Sequence, residues 1–156
     1  MGSGKTRSET LNSLQAELRI QATRTVIFHS AVAARLGITV TDLSCLNVLS
    51  SAGPQTPGQL AERIGITRGG AVTAMIDRLE RAGFVRRSRD ARDRRRVLVE
   101  PIAAAVGAVA PLFSGLGAAV SEHLAGYSDR ELEVLLQFVG TLNERVAVAT
   151  DELRTP

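Results

Sequence analysis

Residues 56–101 read TPGQLAERIGITRGGAVTAMIDRLERAGFVRRSRDARDRRRVLVEP. Thr56-Pro57 is a helix start, a capping hydroxyl followed by a proline whose fixed φ suits the first helical position. Leu60, Ala61 and Ile64 then share one face of a short helix, and Gly65 stops it. Gly65-Ile66-Thr67 makes a tight turn, with Thr67 expected to cap a second helix over 67–82. The apolar positions of that helix, Val72, Met75, Ile76 and Leu79, fall at i, i+3, i+4 and i+7, one buried stripe. Two helices across a short Gly-containing turn form a helix-turn-helix. After Gly83 the period changes. FVRRS and RVLVE read as strands, and the charged turn RDARDRR lies between them. A basic hairpin directly after the second helix makes the unit a winged helix-turn-helix.

Charge placement points the same way. The 156 residues carry 19 basic and 16 acidic side chains, a net charge of +3. Between Arg63 and Arg96, however, 11 arginines face 4 acidic residues, a local excess of +7. The rest of the chain has 8 basic and 12 acidic residues, so it is net negative. One concentrated basic segment in a nearly neutral chain suits a polyanion.

Outward from this unit the chain reads as helix. Ser8 is expected to cap a long helix over about 9–35, after a polar, disordered start at residues 1–7. Thr39 or Thr41 caps a helix ending at Gly53-Pro54. The run 102–125 is rich in Ala, Val and Gly, and Pro111 should kink any continuous helix there. Ser128 and Glu131 form a capping box that starts a last helix to about Asp151. The expected class is mainly α (α+β). Its parts are an N-terminal dimerisation helix (1–36), a winged helix-turn-helix (37–101) and C-terminal dimerisation helices (102–156).

Composition closes off other classes. With 44% hydrophobic residues the chain is globular. One cysteine excludes an intramolecular disulfide or a Cys-cluster zinc site, and two histidines 94 positions apart disfavour a His-based metal site. No catalytic triad or paired carboxylate is apparent, so no enzyme, cofactor or metal is expected. The start MGSGKTRSET lacks a signal-peptide core, and no uncharged 18-residue run of membrane-span character is expected. The expected location is therefore the cytoplasm, with no membrane partner.

The expected partner is double-stranded DNA. An α-helix fits the major groove, and a helix N-terminus attracts phosphate. Arg68 and Thr73 stand where they reach base edges, beside Thr67 at the helix start. Gly69 and Gly70 let the backbone come close. Arg92, Arg94 and Arg95 on the hairpin loop address the adjacent minor groove or its phosphates. Arg78 and Arg86 complete the basic set. Arg63 and Arg81 are equally suited to structural ion pairs with Glu62, Asp77 or Glu80.

Residues 60–101 resemble the core of the MarR family of bacterial transcription regulators. The matching parts are Asp77-Arg78-Leu79-Glu80, Gly83-Phe84-Val85, Arg87, and the wing set Asp90, Asp93 and Arg95. The resemblance implies a homodimer interlocked through the first and last helices. It implies two recognition helices on a pseudo-palindromic operator, and repression relieved by a small-molecule effector of unknown identity. It implies that Asp93 orients Arg95, and that an effector cleft near His29 lies between the dimer helices and the DNA-binding part. Glu100-Pro101 replaces the Leu-Thr pair common after the wing. The absence of Trp argues against a urate-type ligand.

Weaker signals have plainer readings. Gly2-Ser3-Gly4-Lys5-Thr6 looks like the tail of a P-loop but lacks the preceding strand and the earlier glycine. Cys45 reads as a buried small side chain, the alternative being a redox-sensing thiol. His123 is expected at an exposed helix end. The small residues of 103–119 suit close helix packing better than membrane activity. A competing function is a winged helix that binds a partner protein and no specific DNA.

Overall fold

A computed structural model describes residues 6–66 and 69–154. The element order is α1 (Arg7–Leu36), α2 (Val40–Ala52), α3 (Pro57–Ile64), α4 (Gly70–Arg81), β1 (Val85–Arg89), β2 (Val97–Pro101), α5 (Ala103–Leu124) and α6 (Asp129–Arg154). The chain forms two compact units, Met1–Leu112 and Phe113–Pro156. The expected winged helix-turn-helix topology is present in the first.

α1, α2 and α3 each start on a capping box, with one correction to the expected residues. α1 is capped by Thr6 and not by Ser8. The Thr6 hydroxyl accepts from the Glu9 N–H at 3.3 Å, and the Glu9 carboxylate accepts from the Thr6 N–H at 2.7 Å. A Thr followed three residues later by Glu satisfies two orphan donors at once, which Ser8 with Leu11 cannot do. Thr6 and Arg7 therefore belong to the helix start, while the expectation of disorder at 1–5 lies outside the described residues. Of the two caps proposed for α2, Thr39 is the one used, with Asp42 as its reciprocal partner. α3 begins with Thr56 and Pro57 as expected, closed by Gln59.

The core of the first unit is aliphatic. Leu43, Leu46 and Leu49 of α2, Leu60 and Ala61 of α3, and the α4 stripe Val72, Met75, Ile76 and Leu79 are all buried. Val32 and Ala33 of α1 and Val85 and Val99 of the hairpin complete it. Burying these side chains, at about 1.5–3 kcal/mol each, is what holds α4 and the hairpin in fixed register. β1 and β2 pair antiparallel, with Arg87 opposite Val99 and Arg86 opposite Glu100.

One pairing is invisible in the hydrophobic pattern. Gln55, between α2 and α3, bridges Val99 of β2: its N–H donates to the Val99 carbonyl at 3.2 Å, and its carbonyl accepts from the Val99 N–H at 2.8 Å. A single bridged residue has no alternating run to betray it. It ties the wing to the front of the helix-turn-helix.

α5 is helical through Pro111. It is also long and apolar enough, by length and composition, to cross a membrane. The expectation that no such run exists is thereby corrected: residues 103–120 carry no charge, their apolarity coming mostly from Ala, Val and Gly. α6 opens with the Ser128–Glu131 capping box and runs on to Arg154, past the expected end. Leu136, Val139 and Val146 of its apolar stripe are exposed, as are Leu116 and Val120 on α5.

Candidate nucleic-acid interface

The turn between α3 and α4 depends on one glycine. Gly65 sits at φ 77°, ψ 35°, a left-handed conformation costly for a side-chain-bearing residue, and its N–H closes α3 on the Ala61 carbonyl. Thr67 and Arg68 lie outside the described residues. α4 begins at Gly70 with Gly69 at the N-cap (φ 106°), so the expected helix over 67–82 is shorter than the sequence suggested. Two consecutive glycines, the poorest helix formers after proline, delay its start. Among the described residues no side chain caps this end.

The solvent face of α4 carries Gly70, Ala71, Thr73, Ala74, Arg78 and Arg81, all exposed, with Asp77 half-buried. The Thr73 hydroxyl donates back to the Gly69 carbonyl at 3.1 Å. Arg78 is turned inward. Its Nη2 and Nε donate to Asp42 at 2.8 and 3.3 Å, and Asp42 also accepts from the Thr39 N–H at 3.0 Å. Burial alone would push the Asp42 carboxyl up, but the Arg78 and Thr39 hydrogen bonds together hold it below the usual range.

Arg87 of β1 reaches back to α4. Its Nη2 donates to Asp77 Oδ1 at 2.6 Å, its Nη1 to Glu80, and its backbone N–H to Glu80 at 3.1 Å. The Asp77 hydrogen bond raises the Arg87 guanidinium further above its ordinary value. Arg81 was an expected partner for these carboxylates; it donates to the Asp77 backbone carbonyl at 3.2 Å. Arg86 is held by Glu100, with Nε and Nη2 at 3.1 and 2.9 Å from Oε2. Ser88 donates to the other oxygen of Glu100, and these bonds keep that carboxyl low, Ser88 first and Arg86 second.

The wing tip is built by two aspartates on backbone N–H groups. Asp90 accepts from the Arg92 N–H at 2.8 Å, and Asp93 from the Arg95 N–H at 3.1 Å. Asp93 also accepts from Arg95 Nε at 3.2 Å, while the Arg95 side chain stays 93% exposed. The side chains of Arg92, Arg94 and Arg96 are exposed, with no hydrogen-bond partner among the described residues. The tip therefore presents free guanidiniums on a folded loop, a geometry suited to phosphates or a narrow minor groove.

The expected DNA-contacting set thus divides. Gly69, Gly70 and Thr73 stand at the open end of α4, and Arg92, Arg94 and Arg95 at the wing tip. Arg78 and Arg86 are engaged by internal carboxylates. The supports that sequence reading missed are Asp42 and Glu100 as acceptors, and Arg87 as the partner of Asp77 and Glu80. The D-R-L-E motif and Arg87 were visible as a pattern, but no local signal pairs Arg78 with a residue 36 positions away.

Two other candidates fall elsewhere. His29 is half-buried on α1, its ring centroid 6.1 Å from that of Phe28. Cys45 is fully buried, its thiol pushed up to about 12 by burial and then by the charge of Asp42. That environment opposes thiolate chemistry and removes the support for a redox-sensing role. Among the described residues no three His, Cys, Asp or Glu side chains gather to hold a metal.

Comparison with known proteins agrees with this geometry. Residues 38–97 match the MarR family. The chain is 40% identical over 140 residues to YcgE of Bacillus subtilis, an uncharacterized HTH-type transcriptional regulator, covering 90% of both. It is 29% identical over 96 residues to the HTH-type transcriptional repressor YetL of the same organism, spanning 62% of this chain and 57% of that one. A MarR family protein from Bacillus stearothermophilus has the same fold, with TM-score 0.68 and 21% identity over 92% of this chain and 99% of that one. Winged helix-turn-helix, basic hairpin and sequence relatives converge, and the chain belongs to the MarR family of DNA-binding transcriptional regulators.

Proposed function

We propose that the protein works as a homodimer that binds a pseudo-palindromic operator and represses transcription until a small molecule releases it. The observation that carries the DNA part is the cluster of exposed guanidiniums of Arg92, Arg94 and Arg96 at the wing tip, without a hydrogen-bond partner among the described residues. In this reading Thr67, Arg68, Gly69, Gly70 and Thr73 meet the major groove, and Arg92, Arg94 and Arg95 the flanking backbone. Asp93 orients Arg95, and Arg78 and Arg86 act by holding α4 and the wing in place.

The dimer is supported by apolar side chains left in the open. Leu11, Leu14, Val26 and Ile27 on α1, Leu116 and Val120 on α5, and Leu136 and Val139 on α6 are all exposed within one chain. Water-facing aliphatic surface on three long helices favours burial against a second copy. The repressor sign follows the relative YetL, whose name states it. His29 is the residue taken for effector contact.

The test is sedimentation of the full chain followed by selection of bound duplexes. A dimer should protect two half-sites about one helical turn apart. Affinity should fall by orders of magnitude between low and moderate salt. A monomer, or binding equal on every sequence, would overturn the reading.

A further inference from the structure

We infer that the exposed face of α4 reads thymine through its 5-methyl group. The inference rests on the operator-binding reading above and specifies its chemistry.

In the major groove each base offers a different edge. Guanine asks for two donors, adenine for a donor and an acceptor together, and cytosine for an acceptor. Thymine alone adds a methyl. On α4 most of the polar groups that could meet the first three are engaged inside the protein. The Thr73 hydroxyl proton goes to the Gly69 carbonyl at 3.1 Å, which also fixes where its γ-methyl points. The Arg78 fork is closed on Asp42. The Asp77 carboxylate is taken by Arg87 at 2.6 Å. Arg81 gives its Nε to the Asp77 carbonyl and stands in the last turn of α4, away from the N-terminal end by which a recognition helix meets base edges. What the first two turns of α4 leave outward is mostly methyl: Ala71, Thr73 and Ala74 are all exposed.

Gly70 adds an independent sign of close approach. A Cβ built there meets nothing within 4 Å, and its φ is not left-handed. Alanine would fit the free protein and improve the helix. No contact among the described residues requires glycine at this position, whereas a base edge or phosphate lying against the helix would. With the backbone that near, the short alanine side chains reach the groove floor.

The experiment uses the full chain and its best duplex from a random pool. Thymines are replaced one at a time by deoxyuridine, which removes the methyl and leaves pairing intact. At one or two positions in each half-site the affinity should fall roughly fourfold, the value of one buried methyl. In Ala71→Gly or Ala74→Gly the penalty at the matching position should vanish, since a cycle cancels any general loss of helix stability. Specific binding that is indifferent to uridine everywhere overturns the thymine reading while leaving the operator reading intact. A uridine penalty that persists in both variants overturns the assignment to α4. No preferred duplex at all overturns both.

Discussion

The carboxylate of Asp42, on the first turn of α2, receives both prongs of the Arg78 guanidinium from α4, at 2.8 and 3.3 Å. The Asp42 side chain is 2% exposed and that of Arg78 is 44% exposed. The same carboxylate closes the capping box of α2 through the Thr39 N–H. One buried charge therefore fixes the start of α2 and the orientation of the recognition helix together.

Removing Arg78 should strand that charge. Arg78→Ala is expected to lower stability by about 2–3 kcal/mol, the cost of leaving a buried ion without its hydrogen-bonded partner. Asp42→Asn keeps a cap acceptor and loses only the charge, so it should cost less. Urea midpoints at neutral pH measure both. Equal stability of wild type and Arg78→Ala would show that the bridge is ornamental. The pH dependence has a definite sign. The folded carboxyl of Asp42 lies below its ordinary value of 3.8, so its contribution is complete above that pH. It is lost as the pH falls through the lower folded value. The acid limb of the stability curve below about pH 4 should be shallower in Asp42→Asn.

Arg87 pairs with two carboxylates of α4, Asp77 and Glu80. Arg87→Gln frees the charges of Asp77 and Glu80 on α4. DNA affinity should fall, more steeply at low salt than at high salt, because the new term is repulsion between exposed charges. A loss of affinity that is independent of salt would mean that Arg87 acts only by holding the hairpin.

Much of this was legible in the residues. The α3–α4 turn, the α4 stripe and the basic hairpin are local patterns, and each element carries its own start and stop signals. What was not legible depends on distance along the chain. Asp42 and Arg78 are 36 positions apart, and Gln55 meets Val99 through a single bridge. Neither leaves a periodic trace. The α1 cap was misplaced because Ser8 is as good a capping residue as Thr6 until the reciprocal Glu9 is counted. The late start of α4 follows from Gly69-Gly70, which resist the first helical turn. The open aliphatic surface of α1, α5 and α6 has a trace in composition, but no local signal says what would cover it.

Cys45 should be inert while the protein is folded. Its thiol, pushed up to about 12 by burial and the Asp42 charge, holds almost no thiolate at pH 8. A thiol reagent should modify the denatured chain quickly and the native one only through unfolding. Brief treatment with peroxide should leave DNA binding unchanged. Rapid native modification would reopen the redox reading.

Wing arginines should act on affinity and little on sequence. Arg92→Ala, Arg94→Ala or Arg95→Ala is expected to weaken binding to all duplexes alike. Each lost phosphate contact should lower the salt slope by about 0.9. Anisotropy titrations over a salt series read both quantities. Of the three, Arg95→Ala also frees Asp93, whose second acceptor role is to the Arg95 backbone N–H, so the loop should keep its shape. An unchanged slope in all three variants would remove the wing from the interface.

Gly70→Ala separates what the protein needs from what its ligand needs. Among the described residues the added methyl meets no atom within 4 Å, and alanine is the better helix former by about 0.5–1 kcal/mol. The thermal midpoint of the variant should therefore stay level or rise. Affinity for the selected duplex should fall roughly tenfold, the equivalent of about 1.4 kcal/mol, because the methyl occupies the space through which the helix approaches the groove. Stability and binding moving in opposite directions would place the constraint at Gly70 on the DNA side. If binding instead follows stability upward, α4 does not seat closely enough for its alanines to touch a base.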